Sequence, residues 1–193
     1  MKKIVSLFKR DYEGTRLVYD EVVEGAEWVI AGEGHPTPKW DGTSCLIQDG
    51  VLYKRYDAKK GKNPPEGFMA AQDPDPITGH WPGWLTVDPN KPDDKWHCEA
   101  WNHLLATTSP DDLEGTYELI GPKVQGNPYK LDQHQLVRHG DPLFVVWDTE
   151  PPRDFEGLKG WLAEHKLEGI VWHHPDGRMV KIKRRDFGYK WPE

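Results

Sequence analysis

Short apolar runs separated by turn dipeptides dominate the first third of the chain. Glu27-Trp28-Val29-Ile30-Ala31, Ser44-Cys45-Leu46-Ile47 and Val51-Leu52-Tyr53 read as strands, with Asp41-Gly42 and Asp49-Gly50 as the turns that punctuate them. Prolines at 64, 65, 74, 76, 82, 89 and 92, together with Gly79-His80-Trp81-Pro82-Gly83-Trp84, predict a long irregular loop over residues 63–94, packed on the body through its aromatic side chains. Residues 101–107 read as a short helix, and 117–120 and 143–147 as buried strands. Phe155, Leu158, Trp161, Leu162 and His165 recur at helical spacing, which makes 154–166 the clearest helix. A hairpin comes next: residues 168–172, the turn His173-His174-Pro175-Asp176-Gly177, then 178–183. Helices and strands interleave without a regular βαβ alternation, and neither a repeat nor a linker interrupts them. The pattern therefore predicts a single α+β domain over residues 1–193 with mainly antiparallel sheet.

Composition narrows this picture. The chain has 193 residues, enough for one well-buried core, with 30% charged and 36% hydrophobic residues. No apolar run is long enough to span a membrane, and Ile4-Val5-Ser6-Leu7-Phe8 is too short for a secretory signal. Cys45 and Cys98 have no metal-ligand spacing, so a reducing cytoplasm is expected. The net charge of −7 argues against a protein coated in nucleic acid, yet the average conceals two basic clusters. One is Lys54, Arg55, Lys59, Lys60 and Lys62; the other is Arg178, Lys181, Lys183, Arg184, Arg185 and Lys190. Their distribution fits a localised polyanion site, with solvated polar surface as the alternative.

Candidate chemistry centres on Lys39-Trp40-Asp41-Gly42. At average residue usage a Lys-x-Asp-Gly tetrapeptide arises by chance in roughly one chain of this length in twenty-five, so alone it reads better as a hairpin turn beside a surface lysine. The order of the acids and lysines downstream changes that. Glu118 interrupts the apolar run Tyr117-Glu118-Leu119-Ile120, and Glu168 heads Glu168-Gly169-Ile170-Val171-Trp172. An acid in such a strand faces solvent or meets a cation, because an unpaired buried carboxylate is costly. Lys181-Ile182-Lys183 puts two lysines on one strand face. One nucleophile, two acids and two cations in this order are the parts of a phosphoryl-transfer site. Gly61-Lys62 is no P-loop, since the upstream glycine is missing and prolines come after it, and the 173–174 histidine pair reads as solvated turn rather than metal site.

The ordered set resembles the covalent nucleotidyltransferases, which comprise ATP-dependent ligases and mRNA capping enzymes. Lys39-Trp40-Asp41-Gly42 is similar to their nucleophile motif, Tyr53-Lys54-Arg55 to the next strand with its ribose-contacting cation, and Tyr117-Glu118-Leu119 to the third motif. Val146-Trp147-Asp148 resembles the strand whose aromatic residue stacks on the base; Glu168-Gly169-Ile170-Val171 and Lys181-Ile182-Lys183 resemble the fourth and fifth motifs. Gly79 to Trp84, Trp96-His97-Cys98-Glu99-Ala100 and the stretch from Gly115 to Tyr129 resemble the small RNA ligase family that includes the vertebrate 5′-to-3′ enzyme. The resemblance runs from about residue 28 to 188.

That resemblance implies an ATP-grasp-like nucleotidyltransferase domain of antiparallel sheets flanked by helices; in a departure from DNA ligases and capping enzymes, the sequence runs only ten residues past Lys183, so no OB domain is expected. It implies an ATP-dependent RNA ligase that joins 5′-phosphate and 3′-hydroxyl RNA ends through AMP carried on Lys39 and then on the RNA. Lys181 and Lys183 would stabilise the phosphate, Asp41, Glu118 and Glu168 would offer oxygens to Mg²⁺ or Mn²⁺, Trp147 would stack on adenine, and Arg55 would reach the ribose or the RNA phosphate. With an ordinary pKa near ~10.4, only about one lysine in a thousand is neutral at pH 7.4, so neighbouring cations and burial are expected to depress Lys39. No membrane association and no obligate protein partner are expected. Three alternatives share the fold: GTP-dependent capping, DNA ligation and a non-catalytic RNA-binding module. The first two ordinarily use a second domain, and the third has no need of the nucleophile.

Overall fold

The computed structural model describes residues 4–109, 112–141 and 147–191. The chain divides into two compact units, Asp41–His139 and a second one built from Lys3–Trp40 and Gly140–Glu193. The division falls inside the Lys39-Trp40-Asp41-Gly42 tetrapeptide.

The Asp41–His139 unit is built on an antiparallel sheet. Its strands are β5 (Thr43–Gln48), β6 (Val51–Ala58), β7 (Met69–Ala70), β8 (Trp81–Thr86), β9 (Gly115–Ile120) and β10 (Gln135–Arg138), in the spatial order β10-β9-β5-β6-β8-β7. Asp49 (φ 52°) and Gly50 (φ 70°) both take left-handed backbone, as a two-residue hairpin between β5 and β6 requires. Alternation buries Cys45 and Ile47 on one face of β5, where they meet Leu52, Tyr117, Leu119 and Leu136. The helix α2 (Lys95–Thr107) adds Ala100 to that core.

In the second unit a four-stranded sheet runs β1 (Val5–Ser6), β12 (Met179–Lys183), β11 (Gly169–His173), β4 (His35–Lys39). β1 is parallel to β12 and the other pairs are antiparallel. A two-stranded ribbon, β2 (Phe8–Arg10) with β3 (Val18–Val22), and the helices α1 (Glu27–Ile30) and α3 (Phe155–Glu164) complete it. One face of the sheet, carrying Ile170, Trp172, Val180 and Ile182, packs with Leu158 and Leu162 of α3 and Val29 of α1 in a single core. Asp154 caps α3 by accepting from the Gly157 amide at 2.8 Å.

The α+β class with mostly antiparallel sheet, the helix at 154–166 and the 168–183 hairpin agree with the sequence pattern. Four expectations need correction. Residues 27–31 are not a strand but the single helical turn α1, bracketed by Gly25 (φ 84°) and Gly32 (φ 89°). A continuous apolar run carries no period to separate helix from strand. The 63–94 segment is not irregular throughout, because β7 and β8 lie in it. Gly83 lets β8 pass beneath Phe68, whose ring atoms would sit 2.3 Å from a Cβ there. The helix expected at 101–107 begins earlier, at Lys95. His173 is a strand residue whose Nε2 lies 2.9 Å from Thr37 Oγ1, not part of a solvated turn. The strand expected at 143–147 lies, except for Trp147, outside the described residues.

Candidate active site

Register decides which side chains of the four-stranded sheet share a face. Lys39 on β4 and Lys183 on β12 both pair with Gly169 on β11, while Thr37 and Lys181 both pair with Val171 and Ser6 of β1 pairs with Lys181. Ser6, Thr37, Lys39, Lys181 and Lys183 therefore lie on the face opposite the apolar core. Two strand spacings, about 10 Å, separate the backbones of Lys39 and Lys183. Gly169 between them cannot carry a side chain, since a Cβ would lie 2.2 Å from the Ile182 carbonyl oxygen. Glu168, just before β11, accepts a charge-assisted hydrogen bond from Lys39 Nζ, and the two side chains are 17% and 23% exposed. The predicted nucleophile, one predicted acid and both predicted cations thus share one sheet.

Their charges do not balance. Burial, with the Lys183 and Lys39 ammonium groups adding to it, pushes Lys181 down to about 8. Burial also lowers Lys183, assisted by Arg185 and opposed chiefly by Asp186. No ion pair joins Lys181 or Lys183 to a carboxylate among the described residues, in contrast to Lys39. A face with surplus half-buried positive charge is built to accept an anion.

Glu118, Asp41 and Arg55 belong to the Asp41–His139 unit. Glu118 on β9 stands opposite Ser44 of β5 and Val137 of β10. Its Oε2 lies 2.8 Å from His139 Nε2, while His139 Nδ1 lies 3.1 Å from Thr116 Oγ1 and the His139 amide donates to the Thr116 carbonyl at 3.0 Å. The ring is held from both sides and orients the carboxylate. Nothing in the linear pattern marks His139, which comes just after β10 and reaches Glu118 only because β9 and β10 pair. Asp41-Gly42 is not the hairpin turn expected, because β4 and β5 belong to different sheets. Instead the Asp41 amide donates to the Tyr129 hydroxyl at 2.6 Å, and a Cβ on Gly42 would meet the Leu119 carbonyl oxygen at 2.2 Å and Glu118 Cγ at 2.9 Å. Glycine is needed there for the close approach to β9.

Comparison with known proteins bears on the same residues. A family model described as RNA ligase 1 matches residues 104–193. The RNA ligase 1 of Danio rerio is 30% identical, over 95% of this chain and 77% of that protein. The chain belongs to the RNA ligase 1 family. The RNA ligase 1 of Pongo abelii is 29% identical over 81% of this chain and 68% of its own length, and that of Rattus norvegicus 34% identical over 59% and 42%. The family match contains Glu118, Trp147, Glu168, Lys181 and Lys183, while Lys39, Asp41 and Arg55 lie N-terminal to it.

Other residues of this family member are more tightly engaged than their sequence context indicates. Arg55 Nε donates to Asp57 Oδ1 at 3.0 Å and its guanidinium lies 5.5 Å from the Trp84 ring centre. Lys54 is ion-paired to Asp94, which is fully buried. Burial works against that carboxylate, but the Asp88 amide and Lys54 outweigh it and hold Asp94 below the usual range. Trp147 is partly buried and meets Trp161 edge to face, with ring centres 5.5 Å apart. Arg184 does not belong to an exposed basic cluster at all. It is buried and donates to the carbonyls of Leu162, Ala163, His165 and Lys190. Lys59, Lys60, Lys62, Arg185 and Lys190 are exposed.

Proposed function

We propose that the chain is an ATP-dependent RNA ligase, acting on RNA with 5′-phosphate and 3′-hydroxyl ends, in which Lys39 carries AMP. The observation that carries this reading is the Lys39–Glu168 ion pair on a sheet face that also bears Lys181 and Lys183. Membership of the RNA ligase 1 family supports RNA as the substrate. The domain spans residues 1–193 and is of the ATP-grasp-like nucleotidyltransferase type.

Lys39 attacks as the free amine, so its proton must leave before or during attack on the α-phosphate. Glu168 fixes the direction of the Nζ group through their charge-assisted hydrogen bond, which turns attack into a matter of orientation rather than search. Lys181 and Lys183 stabilise the negative charge that gathers on the phosphate oxygens in the transition state. AMP then passes to the RNA 5′-phosphate, and a 3′-hydroxyl displaces it to seal the strand. Trp147 supplies an aromatic face for adenine and Arg55 a cation for ribose or RNA phosphate. Mg²⁺ or Mn²⁺, when bound, would draw one or two of its oxygens from among Asp41, Glu118 and Glu168. Among the described residues no group of three or more His, Cys, Asp and Glu is placed to hold a metal; an ion of this kind takes one or two carboxylates and completes its shell with water and phosphate. It would supply further charge neutralisation at the phosphates.

The test uses α-labelled ATP and RNA already adenylated at its 5′ end. Wild type is expected to form a labelled protein band with ATP, to label poorly with GTP, and to lose labelling in EDTA. Lys39→Ala should give no band, yet still join pre-adenylated RNA at a reduced rate. Lys181→Ala should lose both reactions, because its charge serves every step. A labelled band on Lys39→Ala would place the nucleophile elsewhere.

A further inference from the structure

A cavity of about 300 Å³ opens beside Lys181 and Lys183 on the edge of the sheet away from β4. Ser6, Arg10, Tyr12 and Asp186 line it with the two lysines. Three cations against one carboxylate make it an anion site by charge alone. Its geometry is built rather than incidental. Arg10 is pinned by an ion pair to the buried Asp186 and by donating to the Arg16 carbonyl at 2.6 Å. Asp186 in turn accepts from the Lys183 amide at 2.9 Å, which ties the guanidinium to the strand that bears the lysines. The Leu7 amide donates to the Lys181 carbonyl at 2.8 Å and holds β1 alongside. Ser6 Oγ is out of contact with solvent and has no hydrogen-bond partner among the described residues. A buried hydroxyl left unsatisfied costs stability unless a ligand completes it.

We propose that this cavity is a phosphate pocket that receives the pyrophosphate leaving group of ATP, with Arg10 and Ser6 binding it beside Lys181 and Lys183. The inference rests on the proposed adenylation of Lys39. In that step the Lys39 amine forms a bond to the α-phosphorus and the bond to the bridging oxygen breaks. Pyrophosphate departs with the electron pair, and the lysine proton passes to solvent. The leaving group exits in line, on the side away from the attacking amine. Along this face the strand order β4, β11, β12, β1 leads from Lys39 through Lys183 and Lys181 towards Ser6 and the Arg10 cavity. Burial first, and the neighbouring ammonium groups second, disfavour the charged form of Lys181; a bound pyrophosphate favours it, so binding and charge balance support each other. Arg10 lies in the N-terminal ribbon, outside every motif of the sequence that points to nucleotide chemistry.

Inorganic pyrophosphate is titrated into the whole chain by calorimetry, with wild type, Arg10→Gln, Arg10→Lys, Ser6→Ala and, as a control in the other unit, Lys62→Gln. Arg10→Gln is expected to weaken binding at least tenfold and to raise the KM for ATP in self-adenylation. Ser6→Ala should weaken binding several-fold, Arg10→Lys should fall between wild type and Arg10→Gln, and Lys62→Gln should match wild type. Joining of pre-adenylated RNA should be unchanged in Arg10→Gln. Removing Arg10 strands the buried Asp186, so Ser6→Ala and Arg10→Lys decide the matter if Arg10→Gln does not fold. Pyrophosphate binding that none of the folded variants weakens overturns the proposal. Slower joining of pre-adenylated RNA with pyrophosphate affinity intact overturns it in favour of an RNA phosphate. Arg10-dependent pyrophosphate binding by a wild type that never self-adenylates keeps the pocket and removes the ligase reading.

Discussion

A lysine on a half-buried strand needs a counter-charge or loses part of its affinity for the proton. Lys39 has Glu168. Lys181 has a buried stem and cationic neighbours, and its pKa falls to about 8. The consequence for stability has a definite sign. Below pH 8 the folded protein holds an ammonium that its surroundings disfavour. Between pH 8 and 10.5 it sheds that proton while the unfolded chain keeps its own, so stability rises with pH across the window. The shift corresponds to about 3 kcal/mol at most, reduced by solvent screening to on the order of 1–2 kcal/mol. Thermal melts from pH 7.5 to 10 should show this gain in wild type and lose it in Lys181→Met. A difference between the two proteins that does not vary with pH would mean that the strand tolerates the ammonium without penalty.

At the scale of elements, the end of α3 shows how one side chain serves a boundary. The last carbonyls of a helix have no intrahelical partner, and Arg184 donates to three of those at this end, Leu162, Ala163 and His165, besides Lys190. It also places a cation where the helix dipole favours one. Arg184→Met should therefore cost about 3 kcal/mol, since several buried acceptors lose their donor together. That corresponds to a fall in Tm on the order of 10 °C for a chain of this size. Arg185→Met, one residue along and exposed, should change stability by less than about 0.5 kcal/mol. Comparable melting curves for the two variants would show that the carbonyls find water instead. The adjacent basic residues look alike in sequence, and the contrast depends on which one turns inward after β12.

For the whole molecule, a net charge of −7 has to be reconciled with a polyanionic substrate. Part of the apparent positive surface is engaged internally, on Asp94 by Lys54, on Asp57 by Arg55, and on helix carbonyls by Arg184. Lys59, Lys60 and Lys62 remain exposed after β6 and are the residues positioned to meet RNA phosphates in the proposed reaction. Changing all three to Gln should lower the slope of log affinity for single-stranded RNA against log salt by about 2, at about 0.7 per phosphate contact. Self-adenylation should stay near wild type. Lys54→Gln belongs to a different class, because it abandons a buried carboxylate and should destabilise the fold. An unchanged salt slope in the triple variant would return those lysines to ordinary solvated surface.

Local pattern was enough to read the α+β class, the 154–166 helix and the 168–183 hairpin. Period-two alternation in Lys181-Ile182-Lys183 and helical spacing from Phe155 to Trp161 are properties of neighbouring residues, and the folded chain preserves them. Family membership was likewise legible, because it resides in ordered short motifs. The site itself depends on partners far apart in the chain. Lys39 meets Glu168 through the β4–β11 register, His139 meets Glu118 through the β9–β10 pairing, and Arg10 joins Lys181 and Lys183 because the β2–β3 ribbon lies beside β1 and β12. Trp28 and Val29 fold into a helical turn although their neighbours are as apolar as those of a strand. No local signal encodes such choices, since each is settled by which surfaces become buried together and which polar groups then find a partner.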